Sequence, residues 1–283
     1  MSAQWASLTH VGAVRAQNQD AIVGQPPIFA VADGMGGHAA GDIASQITVR
    51  HLAAFVGSDA VDIESTLAAC RAANAEILFR SRTEPDLAGM GTTVAGIALS
   101  RTTTGDSVLV FNAGDSRVYV LNGSDLVQIT TDHSLVAEMV AAEEITEAEA
   151  RTHPQRNVVT RGLGLDDEVL IDTWLLESGP RQRRFLICSD GLTNEVDDQE
   201  LATMMQASTS AEACAGELLQ LALGRGARDN VSLIVLDLDR QATKASWVDG
   251  DTLPRESITE AEPVAAEVPL INGVPPFASG AES

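Results

Sequence analysis

The sequence predicts an α+β fold, a four-layer αββα sandwich of two antiparallel sheets flanked by helices. Three observations lead there. Short apolar runs of strand character occur in groups separated by turn signals. Helical stretches fall in consecutive pairs between those groups, as expected of helices laid outside two sheets packed face to face. The 283 residues, 45% of them hydrophobic, are also enough to bury a sizeable core in one domain.

The first predicted strand is Trp5 to Val14, and the second is the short apolar run Pro27 to Ala32, which ends at Asp33-Gly34. Two predicted helices follow. Residues 40–56 space Ile43, Ile47, Val49 and Leu52 at helical intervals, and residues 63–81 do the same with Leu67, Ala68, Ile77 and Leu78. Strand character returns in 92–100, 107–112, 117–121 and 126–130, with Asn122-Gly123 as a hairpin turn signal. From Asp132 to Leu165 the pattern is polar and only partly helical. Within it, 145–152 is short and acidic and is broken by His153-Pro154. Strands resume at 168–176 and 184–188, helices at 198–206 and 211–223, and a last strand at 231–238. Residues 241–283 hold five prolines, scattered acids and no periodic apolar face. They read as a disordered acidic tail after a single domain at 1–240.

Composition excludes several classes. A formal net charge of -22 repels phosphate backbones and anionic lipid, so no nucleic-acid partner is expected. No stretch reaches the ~18 apolar residues of a membrane span, and the first residues lack a signal-peptide pattern. Cys70, Cys188 and Cys214 have neither metal-site nor redox spacing; buried free thiols and a cytoplasmic location are the expectation. The only lysine, Lys244, follows Thr243, so neither the Gly-Lys pair of a P-loop nor a kinase lysine is present. Any phosphate bound here is bound through arginine.

Aspartates at strand ends carry the chemistry. Asp33, Asp115 and Asp190 each close or follow an apolar run, while Asp229 precedes one. In antiparallel sheets the end of one strand and the start of its neighbour share an edge, so the four can converge on one rim. Taken singly, each Asp-Gly is more simply a turn. Together, four carboxylates repel unless cations neutralise them. Oxygen donors without a His/Cys cluster suit Mg²⁺ or Mn²⁺ better than zinc, and two such ions can activate a water for attack on phosphorus. Arg15, five residues before Asp20, has the fork that matches two phosphate oxygens; a plain surface arginine is the alternative, and spacing does not decide.

Eight motifs in order resemble the metal-dependent serine/threonine protein phosphatases of the PPM (type 2C) family in their bacterial form. They are Arg15-Ala-Gln-Asn18-Gln19-Asp20, Val31-Ala-Asp33-Gly34-Met35-Gly36-Gly37-His38, Gly41 to Ser45 and Met90-Gly91-Thr92-Thr93. Asn112-Ala-Gly114-Asp115-Ser116-Arg117, Thr131-Asp132-His133-Ser134, Ser189-Asp190-Gly191-Leu192 and Arg228-Asp229-Asn230 complete them, so the resemblance covers about 5–238. It implies two Mn²⁺ or Mg²⁺ ions and a weaker third. Asp33 would bridge the first two, Asp190 and Asp229 would complete the first, and the Gly34 carbonyl would bind the second. Asp20 would support the centre through water, Asp115 with Asp190 would hold the third ion, and Arg15 would take the substrate phosphate. It further implies phosphoprotein substrates, opposition to serine/threonine kinases, a monomer, and a mobile flap at about 132–165.

Two positions depart from many eukaryotic members, which carry glutamate at Gln19 and histidine at Met35. The second departure removes the usual general acid. His38 is expected to be structural and His153 lies in the flap, so that role stays unassigned. A thiol mechanism fails, because the residues six places after the cysteines are Glu76, Asn194 and Gln220 rather than arginine. A non-catalytic phosphoprotein-binding module would have lost a metal aspartate, and none is lost. Other two-metal hydrolases lean on several histidines, and none of the five here stands beside the strand-end aspartates.

Overall fold

The structure is a computed structural model that describes residues 2–36, 40–102, 105–177 and 183–239. The first sheet is built from β1 (Ser2–His10), β11 (Val231–Asp239), β10 (Arg183–Cys188), β7 (Arg117–Asn122) and β8 (Asp125–Gln128), in that spatial order. The second runs β2 (Asp20–Gln25), β3 (Ile28–Met35), β5 (Val94–Thr102), β6 (Gly105–Ala113) and β9 (Asp172–Glu177), with the short β4 (Gly91–Thr92) paired to β3. All pairings are antiparallel.

Three apolar layers hold four structural ones together. Phe29, Val31, Ile97, Val110, Phe185, Ile187, Ile234 and Leu236 interdigitate between the sheets. The ring of Trp5 on β1 meets Phe29 on β3 edge-on at 5.7 Å, a further link across that layer. Outside the second sheet, α1 (Gly41–Ala53) and α2 (Ile63–Thr83) pack Ile47, Leu52, Cys70 and Ile77 onto Ile28, Ala30 and Leu109. Outside the first, α6 (Asp198–Ala207) and α7 (Ala211–Gly224) pack Leu201, Met205, Cys214 and Leu218 onto Leu186, Cys188, Leu233 and Val235. Central strands are thus covered on both faces. This is why β10 and β11 read as continuous apolar runs rather than alternating ones. The three cysteines are free and buried.

Helix starts follow capping chemistry. Asp62 accepts from the Ser65 amide ahead of α2, and Asp197 forms a reciprocal capping box with Glu200 at α6. The segment after β8 carries two short helices, α3 (Leu135–Ala141) and α4 (Glu147–Ala150), and its two arms are tied by a bridge between Ser134 and Val159.

Some expectations need correction. The first strand is Ser2–His10, not 5–14, because Gly12 takes φ +80° and turns the chain toward Ala227, whose carbonyl accepts from the Ala13 amide. Strand β2 went unforeseen: only Ala21, Ile22 and Val23 are apolar in a row, and its extended form comes from pairing with β3. Residues 168–171 are not strand, and β9 begins at Asp172. A further short helix, α5 (Asp190–Thr193), starts directly after β10. Residues 241–283, read above as a tail, lie outside the described residues, as does His38.

Candidate active site

One rim of the sandwich gathers the strand-end aspartates. Asp33 sits near the end of β3 and faces Asp20, the first residue of β2, in direct register. Asp115 follows β6 by two residues, Asp190 opens α5 just past β10, and Asp229 stands two residues before β11. Asp33, Asp115, Asp190 and Asp229, with Gly34 and Arg15, line a single open cleft of about 220 Å³. Asp20 does not line it; it is buried, with Oδ2 accepting from the Ser189 hydroxyl at 2.9 Å.

The surrounding motifs fix these carboxylates through backbone contacts. The Asp33 amide donates to Thr93 Oγ1 at 3.1 Å, and Thr92 Oγ1 donates to the Asp33 carbonyl at 2.8 Å. A Cβ at Gly34 would fall 2.1 Å from the Gly41 carbonyl oxygen and 2.5 Å from that of Gln19, so only glycine lets the start of α1 close on the end of β3. Asn230 stitches the Arg15 loop to β11. Its Nδ2 donates to the carbonyls of Val11 and Gln17, and its Oδ1 accepts from the Gln19 amide at 2.8 Å. Arg15 is half exposed, and its Nη2 donates to Asp229 at 2.7 Å.

Several contributors went unassigned at the level of sequence. His133 is buried; its Nδ1 accepts from the Gly114 amide at 3.1 Å and its own amide donates to the Gly114 carbonyl, pinning the turn that presents Asp115. Burial, with Arg161 nearby, pushes the His133 imidazole below its usual range. The neutral ring then keeps its proton on Nε2, which donates to Asp172 at 3.1 Å. Asn157 and Val159 reach the cleft from the segment after α4. The Thr-Asp-His-Ser motif was the available signal for His133; no local signal marks Asn157 or Val159. Met35 lines the cleft and packs beside Gly91 and Gly162, while His153 does not line it and accepts from the Gln155 amide.

Electrostatics set this rim apart. Burial raises the Asp33 carboxyl well above its ordinary value, and the charges of Asp20, Asp190, Asp115 and Asp229 add to the shift. Burial likewise pushes Asp115 up to about 8, with Asp190 contributing, and Asp20 up to about 6 against the hydrogen bonds it accepts. Asp190 is raised by burial and by Asp229, with hydrogen bonds from Asp33 and Asn194 opposing. A cleft holding this much uncompensated negative potential favours cations.

The donor set fits hard divalent ions. Every candidate ligand offers oxygen, and Asp20 Oδ1 is buried without a hydrogen-bond partner. Among the described residues, no three acidic, histidine or cysteine side chains already close around one point, so the fit rests on donor chemistry and potential.

Comparison with known proteins agrees with this architecture. The Protein phosphatase 2C family profile matches residues 11–223. The serine/threonine protein phosphatase PstP of Mycobacterium tuberculosis is 36% identical over 288 aligned residues, covering 97% of this chain and 54% of that protein. This chain therefore spans about half the length of that relative. Serine/threonine phosphatase stp of Listeria monocytogenes is 36% identical over 219 residues, 75% of this chain and 85% of its own length. The crystal structure of the PstP catalytic domain in complex with two manganese ions superimposes with a TM-score of 0.74 at 35% identity, covering 84% of this chain and 99% of that one. By motif order, fold and sequence identity, the chain belongs to the protein phosphatase 2C family in its bacterial form.

Proposed function

We propose that this chain hydrolyses phosphoserine and phosphothreonine esters on proteins, using two Mn²⁺ or Mg²⁺ ions and a weaker third, in opposition to serine/threonine kinases. The observation that carries this reading is the convergence of Asp33, Asp115, Asp190 and Asp229 with Arg15 on one cleft. When bound, the ions would acidify water and offset phosphoryl charge.

The chain's own residues then have separable tasks. Asp33, Asp190 and Asp229 would hold one ion, and Asp33 with the Gly34 carbonyl would hold the other. Asp20, in register with Asp33, would support the centre through water, and Asp115 with Asp190 would hold the weaker third ion. Arg15 has only Nη2 engaged by the protein among the described residues, which leaves donors of its fork to orient a phosphate. Met35 offers an apolar thioether where a proton donor would help, so no side-chain acid comes from that position. The segment after β8 brings Asn157 and Val159 to the cleft, which supports reading 132–165 as a substrate-facing flap.

Among the described residues no helix is long and apolar enough to cross a membrane. A cytoplasmic monomer, with 1–240 as the catalytic domain and 241–283 as an appended tail, belongs to the same proposal. The decisive assay is Mn²⁺-dependent release of phosphate from a phosphothreonine peptide. The expected result is turnover abolished by chelator, lost in Asp33→Asn, and retained with a raised KM in Arg15→Ala. Wild-type activity no greater than that of Asp33→Asn refutes the proposal.

A further inference from the structure

The chain carries 40 acidic residues against 18 basic ones, yet residues 150–165 hold Arg151, Arg156, Arg161 and His153 with no acid. Elsewhere guanidinium groups are consumed by pairing: among the described residues eleven arginines, Arg161 included, sit against a carboxylate. Arg151 and Arg156 do not. Both are exposed, and among the described residues the one hydrogen bond of the Arg156 side chain is at 3.5 Å to the His153 carbonyl. In so acidic a chain, two unpaired guanidinium groups five residues apart are conspicuous.

Their location gives them a use. Successive turn hydrogen bonds, from Thr152 to Glu149, His153 to Ala150, Arg156 to His153 and Val158 to Gln155, fold this stretch tightly. It is fastened at its far end by the Leu135 amide to the Val158 carbonyl and by the Thr160 amide to the His133 carbonyl. Asn157 and Val159, directly beyond Arg156, line the cleft. The nearest acid in a preceding turn, Glu149, is occupied by the amide and hydroxyl of Thr146. Arg156, next to Asn157, therefore brings positive charge to the edge of a cleft lined by four aspartates, and the tightly turned stretch carries Arg151 five residues before it.

We infer that Arg151 and Arg156 form an anion subsite at the cleft edge, which favours phosphopeptides carrying a second negative group within a few residues of the scissile phosphate. This rests on the phosphatase reading above. The recognised chemistry is a carboxylate or a second phosphate, and guanidinium forks suit both. The subsite also answers an electrostatic difficulty. A protein of charge -22 repels acidic substrates at long range, so a local positive edge is needed to hold them once they arrive.

The test compares phosphothreonine peptides with flanking alanine, flanking glutamate and a flanking phosphoserine, with p-nitrophenyl phosphate as a substrate that has no flank. Wild type should prefer the glutamate peptide in kcat/KM by about 3- to 10-fold, as expected of two exposed charge contacts, and the phosphoserine peptide by more. In Arg151→Ala/Arg156→Ala the preference should fall to about 1 while p-nitrophenyl phosphate hydrolysis is unchanged, which also shows the variant folded. A preference for glutamate alone assigns the subsite to carboxylate, and one for phosphoserine alone assigns it to phosphate.

Ionic strength gives a check on wild type only. A preference made by these arginines shrinks as salt rises, whereas discrimination by the net negative field would disfavour acidic flanks and relax with salt. An unchanged preference in the double variant, or a wild type that disfavours acidic flanks, overturns the inference. Absence of hydrolysis of every substrate, p-nitrophenyl phosphate included, would instead overturn the phosphatase reading itself.

Discussion

The two ends of the same pair of strands handle charge in opposite ways. Where β10 begins and β11 ends, Arg184 and Asp237 face each other in register, with Asp237 buried and the Arg184 side chain 11% exposed. Arg184 Nε and Nη2 reach the two Asp237 oxygens at 2.7 Å, while Nη1 donates to the carbonyls of Met205 and Ser208. Where β10 ends and β11 begins, Asp190 and Asp229 join Asp33, Asp115 and Asp20, and among the described residues Arg15 is the one arginine lining the cleft. One rim cancels its charge within the protein; the other leaves it for something else to cancel. Balanced burial serves stability, and imbalance of this kind marks a binding site.

Breaking the balanced rim should have the largest effect on stability. Asp237→Ala leaves the largely sequestered Arg184 charge without its partner and should cost about 2–4 kcal/mol in urea unfolding, with activity per folded molecule unchanged. A loss below about 1 kcal/mol would mean that the pair is less sequestered than its burial indicates. At the unbalanced rim the sign should reverse. Asp115→Asn removes one of several repelling carboxyls, so the metal-free protein should gain at least about 1 kcal/mol at pH 8. A loss of stability there would show the carboxylates to be compensated within the chain.

The third test sharpens the same contrast through pH. Asp115 is raised to about 8 and Asp20 to about 6, both above the usual aspartate range. Between pH about 4 and 8 the folded state therefore binds more protons than the unfolded one, and metal-free stability should fall as pH rises through that window. A decline in Tm of a few degrees from pH 5 to pH 8 is expected, and Mn²⁺ should reverse it most strongly at the alkaline end, where the protons have left. A flat Tm profile in the metal-free protein contradicts this assignment.

Much of the arrangement was legible in the sequence because local chemistry dictated it. Apolar runs ending in Asp-Gly announced strand ends, antiparallel geometry predicted a shared rim, helical spacing found α1 and α2, and the helices expected at 198–206 and 211–223 are α6 and α7. Elements created by their partners were not legible. Strand β2 has only three consecutive apolar residues and is pinned by β3, and β4 is two residues held by Gly34 and Met35. The same holds at the site. Motif order brought Arg15 and the aspartates into view, but the pairing of Arg15 with Asp229 and the grip of His133 on Gly114 depend on contacts 214 and 19 residues apart in sequence. Asn157 and Val159 reach the cleft because Ser134 and Val159 bridge the arms of an otherwise irregular segment, which no period in the sequence encodes.

The first sheet places the last strand of the domain between the first strand and β10, and Asn230 beside it ties down the loop carrying Arg15. This order has a consequence for biogenesis. Until the β11 segment has been made, β1 lacks its partner strand, Asp229 is missing from the rim, and Asn230 is not there to hold the Arg15 loop. A nascent chain whose β11 has not yet emerged cannot assemble the cleft however much of the second sheet has already formed. The same wiring makes the site an internal check, since any product that ends before Asp229 lacks both that aspartate of the rim and the strand that joins β1 to β10.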